Sequence, residues 1–473
     1  MTDTTSPAGN SPPENFAAQA LSSLFPHRSA GLKLLLVCFL ALIMAIPAMF
    51  MYEIVRERTA GQQTAFHEVA ERVGGHQSVL GPVLALPYAH TPDPNKSTRT
   101  YYGVAIAYAE TGSVETNVTV EERKRGIHGI PVYDANMDFT ATFLPNALKD
   151  ALPATAEPIW SDARLYLGVS DARGIRDAIV VSANGQPVSL EPASRRQTKE
   201  GQYHPAPRSD LTLAGGKIRG LENMIQPLKI TARMQVTGAG RFAIGPFAKD
   251  TEFKLESNWP DPSFTGGTLP LTHTAGQSDD GFKANWRVPY IARGIPGSGA
   301  HLNLSDVTQH NRDMAVRFVK EANPYQSVER ALKYAAMFVG FIFLAYFLFE
   351  ITSGARAHPA QYVLVGLAQT IFYLLLLAFS EKIGFDMAFM IAATMTVLLT
   401  AFYASAVFRS RAYGFRALGV LGGIYSLIYI LMRAQDHALL AGALASFAAI
   451  GLTMYMTRNI DWYGSEGEPS LVS

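Results

Sequence analysis

Apolar residues are distributed very unevenly along this chain. One apolar run, Leu34 to Met51, lies near the N-terminus, and a long, mostly polar stretch follows it. Five more runs then fill the C-terminal part: Tyr334–Phe349, Gln361–Phe379, Met387–Phe408, Ala417–Met432 and Ala438–Met456. About 18 or more apolar residues are enough for a helix to cross the ~30 Å hydrocarbon core of a bilayer. The pattern therefore predicts a membrane protein with six transmembrane α-helices, one N-terminal and five C-terminal, and a large domain inserted after the first.

Within the insert the period changes to two. Val114, Thr116, Val118 and Val120 alternate with polar neighbours, as do Met137, Phe139, Ala141 and Phe143, and again Leu228, Ile230, Ala232, Met234 and Val236. Such alternation marks strands with one buried face. Turn signals at Asn184-Gly185, Gly215-Gly216 and Pro260-Asp261-Pro262 punctuate them. An antiparallel, β-rich, sandwich-like domain is expected from about Val79 to Asp313. Glu53–Val73 reads as a helical extension of the first span, and Val328–Lys333 runs into the second without a breaker, so the domain is expected on two helical stalks. The expected organisation is a disordered cytoplasmic tail (1–33), a first span (34–51), the β-rich domain with its stalks (52–333), a five-helix bundle (334–456) and a cytoplasmic tail (457–473). The long polar lead before the first run favours an uncleaved anchor over a removable signal peptide.

Charge gives the layout a direction. With the N-terminus inside, the cytoplasmic segments hold Arg28, Lys33, Arg356, Arg409, Arg411, Arg416 and Arg458, whereas the opposite short loops hold only Lys382 and Arg433. This excess predicts both termini in the cytoplasm and the large domain in the periplasm. A formal net charge of +1 over 473 residues argues against a nucleic-acid partner. The single cysteine, Cys38, lies in the first span, so the large domain holds no disulfide and no thiol nucleophile.

Motifs for a reaction are scarce. Gly238-Ala-Gly240-Arg-Phe-Ala243 fits a loose dinucleotide pattern, but Phe242 and Ile244 resume strand alternation, so a glycine hairpin is the expected structure. The histidines show no metal-ligand spacing, and no metal or cofactor is expected. Asn117-Val-Thr119 and Asn303-Leu-Ser305 are chance-level sequons. Glu121-Glu122-Arg123-Lys124-Arg125 reads as a protected sheet edge. In the membrane part the ionisable residues cluster at helix ends: Glu350 at the inner end of the second span, Glu381, Lys382 and Asp386 in one outer hairpin, and Arg433, Asp436 and His437 in the other. Facing groups of opposite sign there predict an ion-paired seam. Gln369, Tyr373, Thr394, Thr396 and Tyr425 are the deeper polar groups, and Gly419 with Gly423 suggests close helix packing.

Five further stretches belong together: Thr457-Arg458-Asn459-Ile460-Asp461-Trp462-Tyr463; His358-Pro359 with Gln361-Tyr362 and Phe372 to Ala378, then Ser380-Glu381; Ser170-Asp171-Ala172-Arg173-Gly174-Ile175; Ser257-Asn258-Trp259-Pro260 through Phe264; and Glu122-Arg123-Lys124. With these stretches the chain resembles the CreD family of Gram-negative inner-membrane proteins. The resemblance implies an inner-membrane location and a link to cell envelope integrity, and it brings no catalytic residue with it. Candidate functional positions on these stretches are Asp171, Arg173 and Gly174; Asn258, Trp259 and Pro260; Glu350, His358, Pro359 and Glu381; and Arg458, Asn459, Asp461 and Trp462. The expected role is non-enzymatic, with the bilayer and periplasmic or envelope proteins as partners. The alternative is a transporter or channel for an envelope component or lipid, with a polar cavity near Gln369, Tyr373 and Glu381.

Overall fold

A computed structural model describes residues 30–91, 100–126, 128–193, 206–275, 280–318, 324–355, 357–433 and 438–459. Two compact units emerge. One comprises Met1–Thr59 with Ala322–Ser473, and the other is Ala60–Glu321.

Among the described residues, the first unit holds six long apolar segments. Its N-terminal part is α1 (Ala30–Ile43) followed by the start of α2 (Ala45–Val73). The remaining spans are α5 (Ala335–Ser353), α6 (Pro359–Ile383), α7 (Phe385–Val407), α8 (Arg411–Arg433) and α9 (Ala438–Thr457); each is long and apolar enough to cross a membrane. A short helix, α4 (Pro324–Lys333), leads into α5, and α3 (Tyr290–Arg293) belongs to the other unit. The packing is graded. In α5, 61% of the most apolar window is buried, against 11% in α9, so α9 lies at the periphery of the bundle. Among the described residues, the Gly419/Gly423 pair does not seat a neighbouring helix, because a Cβ added at either glycine would meet nothing within 4 Å.

The second unit is a large, mainly antiparallel β domain. It opens with the long strands β1 (Gln77–His90), β2 (Tyr101–Arg125) and β3 (His128–Phe143). Short strands follow: β4 (Ala156–Pro158), β5 (Arg164–Val169), β6 (Val180–Ala183), β7 (Gln186–Val188), β8 (Glu191–Ala193) and β9 (Thr212–Lys217). The second half comprises β10 (Leu228–Ala239), β11 (Arg241–Gly245), β12 (Ala248–Ser257), β13 (Pro262–Gly266), β14 (Thr272–His273), β15 (Phe282–Val288), β16 (Ser298–Gly299) and β17 (Met314–Phe318).

Rather than two separate sheets, the strands form one hydrogen-bonded network. The first part of β2 pairs with β1, and its second part lies between β3 and β12. Two pairings, β1 with β11 and β2 with β12, are parallel. The alternating residues fall as the period-two pattern requires: Val114, Val118, Met137, Phe139, Ile230 and Met234 enter one core, shared with Phe242, Phe253 and Trp286. Phe253 and Trp286 stack at 4.7 Å. The C-terminal part of α2 joins this unit, with Ala65, Ala70 and Val73 packed on Ile130, Val132 and Ala239.

The glycine-rich stretch at 238–240 is not a hairpin. β10 pairs with β3 and β6, whereas β11 pairs with β1 and β17. Gly240, at φ +75°, turns the chain from one part of the network to the other. A left-handed backbone there favours glycine because it has no Cβ.

Candidate functional site

Three polar clusters stand out. The first closes one end of the membrane bundle. Gly354, at φ +64°, ends α5 in the left-handed conformation common after helices. His358 then caps α6: its Nδ1 accepts from Ala360 N–H at 3.2 Å, and its own N–H donates to Gln361 Oε1 at 2.8 Å. Pro359 takes the first helical position, where its missing N–H costs nothing. This tight turn brings α6 back beside Glu350, which is only 5% exposed. The carboxylate is ion-paired with Lys33 of α1 and accepts from Ala357 N–H at 2.7 Å and from the Tyr362 hydroxyl at 3.0 Å. Glu350 thus ties α1, α5 and α6 together, and His358 and Pro359 shape the turn that lets it.

The second cluster lies at the other helix ends. Tyr325 of α4 donates to Glu381 at 3.0 Å, and Arg58 Nε stands 4.0 Å away. Asp386 of α7 accepts from Tyr429 and pairs with Arg433, both of α8. The expected ionic seam therefore exists at these residues, while Asp436 and His437 lie outside the described residues. Midway, Tyr425 donates to Gln369 at 2.6 Å, and both are buried with Tyr373. Glu381 is not gathered with Gln369 and Tyr373 into one polar cavity; its partners are Tyr325 and Arg58.

In the β domain the signature residues hold backbone. Asp171 caps a short 3-10 turn, 172–174, accepting from Arg173 N–H at 2.9 Å while its carboxylate pairs with the Arg173 guanidinium. Hydrogen bonds from the Arg173 guanidinium lower the Asp171 carboxyl from its ordinary value, against the opposing effect of burial and with help from the Arg173 N–H. Gln77 Nε2 reaches the carbonyls of Gly74 and Asp171, both at 2.9 Å. A Cβ at Gly174 would collide with this side chain and with the Thr237 carbonyl. Asn258 acts on a strand edge: its Oδ1 accepts from Val120 N–H at 2.8 Å and its Nδ2 donates to the Val120 carbonyl at 3.1 Å. The side chain so replaces backbone where the β2–β12 pairing stops, and Trp259 packs on the core beside it. Asn258→Ala removes two hydrogen bonds and is expected to cost about 1–3 kcal/mol; faster amide exchange confined to residues 118–125 and their β3 partners checks this.

The third cluster escaped sequence reasoning. Arg241 and Asp313, 3% and 0% exposed at their side chains, form a buried ion pair with Nη2 at 2.8 and 2.7 Å from the two carboxylate oxygens. The only sequence signal was an arginine inside an otherwise buried strand. His76 sits beside them, its Nδ1 2.9 Å from the Ala239 carbonyl and 3.1 Å from the Arg241 N–H. Burial pushes the His76 imidazole below its ordinary 6.5, the Ala239 carbonyl opposes this, and Arg317, Arg241 and His310 add to it. A depressed folded pKa means the neutral ring contributes stability present above about 6.5 and lost as pH falls toward the folded value. The domain is therefore expected to melt lower at pH 5 than at pH 7, and His76→Gln to narrow that gap in thermal denaturation.

Of the C-terminal signature, Arg458 lies over the Tyr455 ring at 4.4 Å and Asn459 is exposed; Asp461 and Trp462 fall outside the described residues. Among the described residues, no group of three or more His, Cys, Asp or Glu is placed to hold a metal ion.

The family described as Inner membrane protein CreD matches residues 29–463, nearly the whole chain. The chain belongs to the CreD family. Inner membrane protein CreD of Escherichia coli (strain K12) is 31% identical over 431 residues, covering 89% of this chain and 91% of that protein. Family membership and the six apolar helices together make it a multi-pass inner-membrane protein. The CreD match takes in both the helical unit and the inserted β domain, so the two are a family property and not a private fusion.

Proposed function

We propose that this CreD-family chain is a non-enzymatic protein that supports cell envelope integrity or the response to envelope stress through its inserted domain. In this reading the domain is periplasmic, both termini are cytoplasmic, and the partners are the bilayer and periplasmic or envelope proteins. The observation that carries it is the construction of the Ala60–Glu321 unit: a large domain with its own core, whose singled-out polar residues Asp171 and Asn258 hold backbone. Such a scaffold suits contact better than chemistry. Orientation is supported by the basic residues Lys33, Arg409, Arg411 and Arg416, which outnumber Lys382 and Arg433 at the opposite helix ends.

Deleting the gene in its bacterial host and measuring uptake of a hydrophobic dye tests this. Uptake is expected to rise, and to be restored by the full chain but not by a chain lacking residues 60–321. Unchanged uptake, or rescue without the domain, would overturn the reading. The second reading, a carrier for an envelope component or lipid, is favoured by a groove of about 570 Å³ between α7 and α8, lined by Phe389, Val397 and Tyr425. Protein-dependent lipid movement in liposomes, lost in Gly422→Phe, is its test.

A further inference from the structure

The last turns of α2, residues 60–73, lie against the β domain through a small contact of their own. Ala65, Ala70 and Val73 meet Ile130, Val132 and Ala239, with Phe66 and Val69 at the margin, and this cluster is separate from the main core of the domain. On the exposed side Glu68 pairs with Arg125 at 2.8 Å. Gly74, at φ +95°, and Gly75, at φ +60°, then join the helix to β1. Residues at the end of an element that can absorb a change of backbone angle make a hinge, and a contact this small can open without breaching the core behind it.

His76 sits where helix, hinge and sheet meet. Its ring packs on Phe66 with centroids 5.5 Å apart, and a Cβ at Gly240 would collide with both rings. The Arg241 N–H, which opens β11, reaches His76 Nδ1 at 3.1 Å. A neutral ring with its proton on Nε2 accepts that bond, whereas a protonated ring has no lone pair left at Nδ1. The proton gained there would face the Ala239 carbonyl, 2.9 Å away, which offsets part of the loss. The surrounding charges add to the cost. Arg241 and Arg317 act on the ring from β11 and β17, and His310 from the segment before β17. Asp313, the anion of that segment, gives both its oxygens to Arg241. On α2, His67 meets the edge of Phe66, Glu68 is held by Arg125, and Glu71 acts on Arg173, which Asp171 already pairs.

We propose that His76 is the pin of an acid-released latch: its protonation lifts residues 60–73 of α2 off the β domain while the core of the domain stays closed. Burial holds the folded imidazole below its ordinary 6.5, against the Ala239 carbonyl and with Arg317, Arg241 and His310. The docked helix is therefore favoured above about 6.5 and loses ground as pH falls toward the folded value. Burial pushes the Asp313 carboxyl up against the pull of Arg241, so its protonation favours the folded state and does not mimic the effect of His76. α2 begins at Ala45 among the apolar residues of the first span, so release acts on the segment that joins the insert to that span. The latch does not depend on the envelope reading, because its opening is read as accessibility and not as a phenotype.

Thiol labelling of the full-length chain in lipid nanodiscs tests it. Cys38→Ala removes the one native thiol, and Ala70→Cys puts a reporter beneath the helix, where Ala70 is 6% exposed. Rates of reaction with a methanethiosulfonate, divided by those of the denatured chain at the same pH, report the opening. Between pH 7.5 and 5.5 this ratio is expected to rise about ten-fold, and to stay flat in His76→Gln. Ala141→Cys, in the main core, should stay protected at both pH values. Ala65→Cys takes the place of Ala70→Cys, and His76→Asn that of His76→Gln, if either does not fold. A flat ratio with His76 present, an equal rise in the His76 variant, or a rise at Ala141→Cys matching that at Ala70→Cys would each overturn the latch.

Discussion

Asp313→Ala is expected to destabilise the β domain by about 3–5 kcal/mol, because it strands the Arg241 guanidinium in a core that water does not reach. Arg241 is 2% exposed, and the Asp313 carboxylate engages it through both oxygens. The position magnifies the loss. Arg241 opens β11, which pairs with β1 on one side and β17 on the other, and the Asp313 carbonyl accepts from Gly267 N–H at 2.9 Å beside β13. A charge left unpaired there loosens four strands together. The double variant Arg241→Met/Asp313→Leu should recover most of the stability, since apolar groups of similar volume remove the desolvation cost along with the pair. Chemical denaturation of the three proteins decides the matter. If Asp313→Ala unfolds with the midpoint of the parent, or the double variant is as unstable as the single one, the ion pair does not hold this corner.

The second large effect belongs to the membrane unit. Lys33→Met leaves Glu350 buried with two neutral donors and, among the described residues, no counter-cation, and is expected to cost about 3–5 kcal/mol. Glu350→Gln should be milder. The amide oxygen can still accept from Ala357 N–H and Tyr362, and Lys33, about a third exposed, can turn its ammonium toward water. Thermal unfolding in detergent ranks the two variants, and the reverse order would show that Lys33 is only a surface partner. Because the carboxylate is reached from three helices, the loss should appear as separation of α1 from α5 and α6, read by crosslinking between engineered cysteines on α1 and α6.

The sequence pattern made the membrane helices legible because a bilayer imposes one rule on every residue of a span. The strands were legible for a similar reason: Val114 to Val120 and Leu228 to Val236 each alternate over a whole strand. What stayed hidden depends on contacts between distant residues. Nothing local tells Gly240 to leave one part of the network for another, since that follows from β11 finding β1 and β17. Nor does anything near Arg241 announce Asp313. Glu350 drew attention as a costly charge at a helix end, yet its partners Lys33 and Tyr362 come from other helices. Asp171, Arg173 and Asn258 looked like functional signatures, and the structure shows each bonded to backbone or to its neighbour. Residues that shape a turn or a strand edge read like site residues until their partners are known.

The parallel pairing of β1 with β11 also sets a schedule. β1 ends at His90, but its parallel neighbour begins at Arg241, and β17, which covers β11 from the far side, is the last strand of the domain. A chain made from its N-terminus therefore holds the first part of β1, Gln77–Leu80, with one flank open until β11 has been synthesised, and β11 in turn waits for β17. Non-local pairing of this kind is slow to form, and an open flank is where strands of other chains attach. The domain is thus most vulnerable to aggregation in the interval between making β1 and making β17, and its yield should depend on what shields that flank meanwhile.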